Sequence, residues 1–396
     1  MKNILFITWD SDKTNYLENL FFPIFSGLQE RGVAKVSVLQ FSWADPKEVR
    51  RINELAEAVN IRYSHIPIST HIPTSVASLY AIIGNRKKVL NSIKSDQINT
   101  VIPRSTMPAF LLLSIYKQVR ELGCELIFDA DGLPIQERLD QGGLKEGSIM
   151  HRILSGVERK MLINADKVIT RTQRSIDWHL NNLPHLNGGK FFLVGNGRDS
   201  KTFYFDKAAR EEVRKKLTLT DDELLIVHSG SLGPAYSIEL LFNILKGFQS
   251  AGLSFRMIFL CRDSVYLNGK VPEELSHLVQ LCKVPFLEIP SYLSAADLGI
   301  SLRTTVPSVR GILPIKVGEY LMCGLPTLIS SGIGDLDSIL GQSDACFFLK
   351  HSNFSIEAIL NWSLGVKYKD RIGIQNLGQE LFSLETTLDS YEEAVK

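Results

Sequence analysis

Two residues of opposite charge, Lys316 and Glu319, lie where a short helix is expected to begin. The surrounding chain reads as a strand, a loop, a helix that opens at Pro314 and stops at Gly324, and a strand over 325–330. Proline suits the first turn of a helix and glycine the position just past its end. A lysine in the first turn opposes the helix dipole, so we expect an anion to compensate it. The pattern suits a nucleotide diphosphate, with its ribose near the carboxylate one turn on.

The alternative is an ordinary surface helix. Lys316 and Glu319 are three residues apart, and an ion pair at that spacing stabilises a helix by only a few tenths of a kcal/mol. In that interpretation the segment carries no chemistry.

The order and spacing of six residues in this segment resemble those of a known family. They are similar to the nucleotide-sugar site of two-domain GT-B glycosyltransferases of the family-four type, and they are Pro314, Lys316, Glu319, Tyr320, Gly324 and Pro326. In that family the glutamate at the position of Glu319 binds the donor ribose, and the helix start, here Pro314 and Ile315, receives the diphosphate. The resemblance is strong over 295–335 and weak elsewhere.

The resemblance implies an α/β protein of the GT-B fold. Two doubly wound, Rossmann-like parallel-sheet domains would face each other across a cleft, and a C-terminal helix would return to the first domain. The family also implies that the transferred sugar retains its anomeric configuration, although the sequence shows no covalent nucleophile.

Length and composition agree with a globular protein of two domains. The chain has 396 residues, 44% of them hydrophobic and 22% charged, which is natural for two domains of roughly 150–200 residues. A net charge of +1 gives no support for broad nucleic-acid binding. Five scattered cysteines without a CxxC pair favour buried thiols in a reducing compartment. With no visible secretion signal or membrane-spanning run, we expect a cytoplasmic protein, or one peripheral on the inner membrane face.

Short apolar runs alternate with amphipathic stretches along the chain, as in parallel sheets wound on both faces. The predicted strands are 4–8, 36–40, 100–102, 126–129, 167–170, 191–194, 224–229, 255–260, 284–287, 298–302, 327–330 and 346–349. The clearest predicted helices are 19–30, 47–58, 76–92, 109–121, 151–164 and 377–395. A Gly-Asn-Gly-Arg-Asp turn at 195–199 resembles the family's interdomain hinge. We therefore place an acceptor-binding domain at 1–199 with the return helix 377–396, and a donor-binding domain at 200–376.

A small loop follows the first predicted strand of the second half. Ser229, Gly230 and Ser231 would let backbone N–H groups approach a phosphate closely. Family members usually carry an arginine and a lysine just beyond this loop, whereas this chain has Pro-Ala-Tyr at 234–236. The cations that neutralise the donor diphosphate must then come from elsewhere, and the candidates are Lys316, Arg262, Arg303 and Arg310. Arg262 directly follows a predicted strand and is favoured, while a solvated surface position is the alternative for Arg303 and Arg310.

A second departure from the family is at Gly311. Relatives often have two glutamates with seven residues between them, and counting back from Glu319 reaches this glycine. A subset of relatives keeps only the second glutamate, within a P-x-K-x-x-E-Y pattern. The chain resembles that subset, which leaves its contacts with the transferred sugar open.

Acidic residues at the end of a predicted strand form an acceptor-side candidate. Asp129 and Asp131 end that strand, and Glu137 follows. The segment resembles one of bacterial surface-polysaccharide glycosyltransferases, with Asp131 where arginine is usual. Carboxylates there could bind acceptor hydroxyls or help to move a proton, and Arg104 after strand 100–102 could contact a phosphate. Helix caps, Asx turns or a simple turn are the alternatives.

The sequence thus predicts transfer of a sugar from a nucleotide-diphosphate sugar to a glycan or polyprenyl-linked glycan, as in bacterial capsule or lipopolysaccharide synthesis. Asp131, Lys316 and Arg262 are the predicted catalytic residues. No metal or other cofactor is expected, because the family handles diphosphate charge with side chains and a helix dipole. Two rivals stay open, namely a nucleotide-sugar epimerase of the same architecture and a catalytically silent partner subunit.

One predicted helix, 76–92, joins apolar residues to a basic cluster at 86–88. It could contact anionic lipid if the acceptor is lipid-linked. Packing of its apolar side on the sheet is the favoured interpretation.

Overall fold

The computed structural model describes residues 1–10, 15–261 and 265–396. The chain divides into two compact units. The first comprises Met1–Gly195, Arg310–Ile312 and Thr387–Lys396, and the second comprises Asn196–Val309 and Leu313–Thr386. In these ranges, no helix has the length and apolar character needed to cross a bilayer.

The described part of the first unit is built on a seven-stranded parallel sheet. Its strands are β1 (Lys2–Asp10), β2 (Ala34–Ser42), β3 (Arg62–Pro67), β4 (Thr100–Pro103), β5 (Glu125–Asp131), β6 (Lys167–Thr170) and β7 (Phe191–Leu193). They lie in the order β3-β2-β1-β4-β5-β6-β7. Six of them coincide with predicted strands, whereas β3 was not predicted, because it lies at the edge of the sheet and mixes polar with apolar residues rather than forming an apolar run.

Helices cover the faces of this sheet and pack on its buried residues. They are α1 (Phe22–Glu30), α2 (Pro46–Ala58), α3 (Thr74–Ser95), α4 (Thr106–Ser114), α5 (Tyr116–Glu121), α6 (Pro134–Asp140), α7 (Ile149–Asn164) and α8 (Gln173–Asn182). The predicted helix 109–121 is two helices, because the backbone leaves the helical region at Ile115. The predicted helix 19–30 begins with a π-helical stretch, Leu17–Phe21, that continues into α1.

The second unit contains a six-stranded parallel sheet in the described residues. Its strands are β8 (Leu224–Ser229), β9 (Phe255–Leu260), β10 (Val279–Cys282), β11 (Leu298–Ser301), β12 (Thr327–Ser330) and β13 (Cys346–Leu349). They lie in the order β10-β9-β8-β11-β12-β13. The strand predicted at 284–287 is wrong. The edge strand lies earlier, at β10, and Pro285, which cannot donate a ladder hydrogen bond, leads instead into a short 3₁₀ turn, Phe286–Glu288.

The remaining helices are α9 (Lys207–Lys216), α10 (Ile238–Ser250), α11 (Ile289–Ala295), α12 (Ile315–Met322), α13 (Leu336–Leu340), α14 (Ile356–Leu364), α15 (Arg371–Phe382) and α16 (Leu384–Val395). The predicted C-terminal helix 377–395 is interrupted at Ser383, which is extended. Its hydroxyl accepts the Thr386 N–H at 3.2 Å, the bond expected of a helix N-cap.

Helix α3 presents apolar residues to solvent as well as to the core. Ala77, Ala81, Ile82 and Val89 are buried, so the helix does pack on its unit. A separate stripe, with relative exposures between 46% and 76%, consists of Val76, Leu79, Tyr80 and Ile83. The favoured interpretation, in which the apolar side of this helix packs on the sheet, is therefore wrong for Val76, Leu79 and Ile83.

A buried carboxylate joins one helix to the centre of the second sheet. Asp297 is 1% exposed and precedes β11, and its two oxygens accept hydrogen bonds from Arg210 at 2.6 Å and Arg214 at 2.9 Å, both on α9. It also accepts the Leu225 N–H of β8 at 2.9 Å. Removing one partner of a buried ion pair leaves an uncompensated charge.

We expect Asp297→Ala to lower the free energy of unfolding by about 3–5 kcal/mol, because two arginines would lose their buried partner. Asp344→Ala is the control, since Asp344 pairs with Lys369 but is 86% exposed, and an exposed pair contributes about 1 kcal/mol or less. Urea unfolding of both variants measures the difference. Equal effects would show that the buried cluster does not hold α9 on the sheet.

Candidate functional site

Helix α12 begins and ends as its sequence predicts. Pro314 lies just before it in an extended conformation, and Ile315 is its first residue. Gly324 follows its end with φ +65°, and a Cβ there would lie 2.3 Å from the Arg371 carbonyl oxygen. Only glycine fits such a position without strain. The helix is therefore stopped one turn after Glu319.

Lys316 and Glu319 are buried, with relative exposures of 9% and 6%. Each has a partner outside α12: Lys316 Nζ lies 3.0 Å from His228 Nε2, and Glu319 Oε1 lies 2.8 Å from Arg198 Nε. The alternative of a surface ion pair between them is therefore wrong. Both side chains are held in the interior of the second unit.

The Lys316–His228 contact fixes which group carries the charge. Burial, reinforced by the charge of Lys316, lowers the pKa of His228 well below its usual value, so the imidazole is neutral and accepts the hydrogen bond. Burial also lowers the pKa of Lys316, although its interaction with Tyr236 opposes that shift. The ammonium lies 4.2 Å from the centre of the Tyr236 ring.

A second cation, Arg303, approaches the same tyrosine. Its guanidinium carbon lies 5.1 Å from the Tyr236 ring centre, and its backbone N–H donates to Ser330 Oγ at 2.9 Å. Burial opposes ionisation of the Tyr236 phenol, but the charges of Lys316 and Arg303 outweigh it and lower its pKa. Within the described ranges, neither cation forms an ion pair with a carboxylate, and Arg303 Nε is buried without a hydrogen-bond partner. The cluster is thus electropositive.

The loop after β8 is arranged differently from the prediction. Gly230 has φ +98°, and a Cβ there would lie 3.7 Å from Lys316 Nζ, so the loop packs against the cation. However, the Ser229 N–H donates to the Tyr320 hydroxyl at 2.7 Å, and the Gly230 N–H donates to the Leu260 carbonyl at 2.9 Å. Because those amides are occupied, they are not available to a phosphate. Ser231 is exposed, so its backbone remains a candidate.

Arg198 belongs to this site, although the sequence indicated it only as part of the turn at 195–199. It and Glu319 are 11% and 8% exposed in their side chains. Its guanidinium lies 5.8 Å from the Phe203 ring centre and 5.3 Å from that of Phe286. An arginine that lies near two rings and pairs with Glu319 fixes the position of that carboxylate.

The acceptor-side residues of the first unit form an ion-pair network. Asp129 is fully buried, and both of its oxygens accept from Arg171 Nη2, at 3.0 and 2.9 Å. Asp131 Oδ2 lies 2.6 Å from Arg104 Nη2 and is 36% exposed in its side chain. A bulge between the two aspartates and φ +63° at Asp131 explain why residues two apart do not share one face.

This network divides the predicted acceptor-side residues. Asp129 cannot touch a solvent-borne acceptor, which corrects its predicted role: it positions Arg171. Asp131 and Arg104 lie together at the carboxyl end of the sheet, as predicted for strand ends. Glu137 is exposed on α6, and its direct role stays a prediction.

The sequence analysis also singled out Arg262, Arg310 and Gly311. Arg262 lies outside the described residues. Arg310 groups with the first unit and lies 5.6 Å from the Trp178 ring centre. Gly311 groups with it, and a Cβ there would lie 2.7 Å from the Leu133 nitrogen and 2.9 Å from the Gly132 carbonyl carbon. No side chain, a glutamate included, fits at Gly311 in this backbone.

Neither the protein-family models nor the curated protein sequences compared with this chain contain a match. Solved structures do match. The Anabaena protein HepE, in complex with UDP-glucose, aligns with a TM-score of 0.71 at 14% identity, over 99% of this chain and 99% of that one. Sucrose-phosphate synthase from Thermosynechococcus elongatus gives 0.73 at 15% identity, over 99% and 98%. WaaG, a glycosyltransferase involved in lipopolysaccharide biosynthesis, gives 0.70 at 15%, over 99% and 99%.

An epimerase is also similar but less so. UDP-GlcNAc 2-epimerase from Neisseria meningitidis, bound to UDP-GlcNAc, gives a TM-score of 0.60 at 11% identity over 99% of both chains. The two parallel sheets of this chain and its nearly complete coverage by these structures confirm the predicted fold class. The chain has the GT-B fold.

Proposed function

We propose that the chain is a glycosyltransferase that uses a nucleotide-diphosphate sugar as donor. The observation that carries the proposal is the pair of cations, Lys316 and Arg303, which converge on Tyr236 and lack a carboxylate partner among the described residues. Such a cluster at the start of a helix suits a diphosphate. That HepE, of similar fold, was solved with UDP-glucose supports the same ligand class.

Each residue has a chemical role in this proposal. Glu319, held in place by Arg198, accepts hydrogen bonds from the donor ribose. Lys316 and Arg303 stabilise the charge that develops on the leaving diphosphate as the glycosidic bond breaks, the kind of preorganised electrostatic stabilisation that lowers a barrier most. These side chains take the place that a metal ion has in other phosphate sites, and we propose no metal.

The acceptor is assigned to the first unit, with Asp131 as the residue that moves a proton. We propose a glycan or polyprenyl-linked glycan acceptor and retention of configuration, in a capsule or lipopolysaccharide pathway of bacteria. The fold shared with WaaG supports that setting. A catalytically silent partner subunit is the second candidate, supported by Gly311 and by the missing Arg-Lys pair at 234–236. Donor turnover by the purified chain alone would exclude it.

Ligand-induced stabilisation of the protein tests the proposed contact between Glu319 and the donor ribose. In a thermal-shift panel of UDP, GDP, ADP and CMP with their sugars, we expect one base to stabilise the protein selectively. Glu319→Gln should abolish that shift, because an amide cannot replace the carboxylate that the ribose hydroxyls and Arg198 share. Glu357→Gln, on the exposed face of α14, is the control and should keep the shift. Stabilisation that survives in Glu319→Gln would remove this carboxylate from the donor site.

A substitution of Lys316 can separate binding of the diphosphate from binding of the nucleoside. Lys316→Met should keep weak binding of the nucleoside but lose the extra affinity that the diphosphate adds, since only the latter needs the cation. Turnover should fall by about 10²–10³, as when one stabilising donor is removed from a reacting centre. Lys350→Met, at an exposed position, is the matched control. Calorimetric titrations in which Lys316→Met loses affinity equally for the nucleoside and for the nucleoside diphosphate would contradict the role of Lys316.

A lipid-linked acceptor requires contact with a membrane surface, and we propose that α3 makes it. Its exposed stripe, Val76, Leu79, Tyr80 and Ile83, is followed by exposed Lys87 and Lys88. The 22-residue helix also carries Arg86 and Lys94 but no acidic residue. An apolar stripe next to uncompensated cations is complementary to an anionic bilayer.

Co-sedimentation with vesicles of phosphatidylcholine and phosphatidylglycerol tests this surface. Lys87→Gln with Lys88→Gln should weaken co-sedimentation about 30-fold, since each lysine near an anionic surface contributes about 1 kcal/mol. Tyr80→Ser with Ile83→Ser should weaken it also at high salt, because that contribution is apolar. Leu364→Ser, exposed on α14, is the control. Binding that is equal in all variants would exclude α3 as the contact.

A further inference from the structure

A cavity of about 270 Å³ lies in the first unit among α6, α7 and α8. Leu133 and Ile135 line it beside α6, Ser155 and Glu158 line it from α7, and Trp178 and His179 line it from α8. Leu133 is two residues beyond Asp131, so the cavity begins where the acceptor-side network of β5 ends. Its size is just below the usual range for small-molecule sites, about 300–1,000 Å³.

His179 supplies an unused hydrogen-bonding atom in this wall. The side chain is 3% exposed, and its Nε2 is buried with no hydrogen-bond partner among the described residues. Its ring stacks on Phe191 with centroids 6.2 Å apart, which fixes its orientation. Burial lowers the pKa of His179 to about 4, so the imidazole is neutral at physiological pH. A buried polar atom without a partner is costly to the fold and points to a ligand or water that satisfies it.

Glu158, which is half-buried, is a second polar group of this wall. The structure shows no hydrogen bond or ion pair for its carboxyl group within the described ranges. Burial raises the pKa of Glu158 to about 7, so its protonated and ionised forms coexist near neutral pH. The group can therefore both donate and accept hydrogen bonds. Hydroxyl groups, which do the same, are suited to it.

The remaining lining residues indicate which class of ligand the cavity would bind. Planar amides from Gln136 and Asn182 and the Ser155 hydroxyl are interspersed with leucines and the Trp178 indole. The lining also includes His151 and one arginine, Arg159. The wall thus combines several hydrogen-bonding groups with apolar and aromatic surface, and it is not a cluster of cations. This chemistry fits a neutral ring that carries hydroxyl groups on its edges and C–H groups on its faces.

We propose that the cavity among α6, α7 and α8 binds one sugar residue of the acceptor glycan, with His179 Nε2 and Glu158 hydrogen-bonding its hydroxyl groups. The inference rests on the proposed function, because it names part of the acceptor of that same reaction. The volume suits one monosaccharide ring, so donor and acceptor are recognised by different chemistry in different units.

The test uses the full chain and free monosaccharides at millimolar concentration, namely glucose, galactose, rhamnose and N-acetylglucosamine. Saturation-transfer NMR should show contact with at least one of them. Ser155→Phe should abolish the signal by filling the cavity. His179→Phe should abolish it by removing Nε2 while it keeps an aromatic ring against Phe191. Ile163→Ala, 55% exposed on α7 and outside the lining, should leave the signal unchanged.

Nucleotide thermal shifts of the same samples separate this inference from the proposed function. Retained nucleotide stabilisation with loss of the sugar signal in Ser155→Phe and His179→Phe supports the subsite. If Ser155→Phe does not fold, His179→Phe alone decides. Absence of any sugar signal in the unmodified chain, or a signal unaffected by either variant, overturns the subsite. Failure of the nucleotide shift in the unmodified chain would overturn the donor site instead.

Discussion

The second unit depends on burying positive charge without neutralising it by a carboxylate. Lys316 and Arg303 approach one phenol ring, and a neutral histidine accepts a hydrogen bond from the lysine. A desolvated cation is costly, so the fold must hold Lys316 by packing, which the buried residues of β8 and α12 supply. The electrostatic potential that results is a property of the folded unit, present before any anion arrives.

One carboxylate in each unit is held in the same way, by an arginine. Glu319 in the second unit and Asp129 in the first are each paired with an arginine whose side chain has little exposure, and both are thereby fixed in position. Asp131 differs because the bulge in β5 turns it toward solvent. A single residue of backbone irregularity thus separates a supporting carboxylate from an available one.

The residues at its two ends made helix α12 predictable from the sequence. Pro314 and Gly324 bound it in sequence, and the buried strands on either side were predicted from apolar runs. The edge strands β3 and β10 were not predicted, because they mix polar with apolar residues, whereas β7 and β13 at the opposite edges are apolar runs. The Arg198–Glu319 pair spans 121 residues and the Tyr236 cluster joins three separate loops or helices, so neither follows from local spacing. Occupied amides in the loop after β8 were equally hidden, since only the folded chain shows what Tyr320 and Leu260 accept.

The Tyr320 hydroxyl also has a consequence for ligand recognition. This side chain is fully buried and receives the Ser229 N–H, so the loop that follows β8 is ordered by the protein interior itself. The conformational entropy of that segment is then lost during folding rather than during association. A ligand that docks against it would meet a rigid wall, and its association should show little coupled ordering of the backbone.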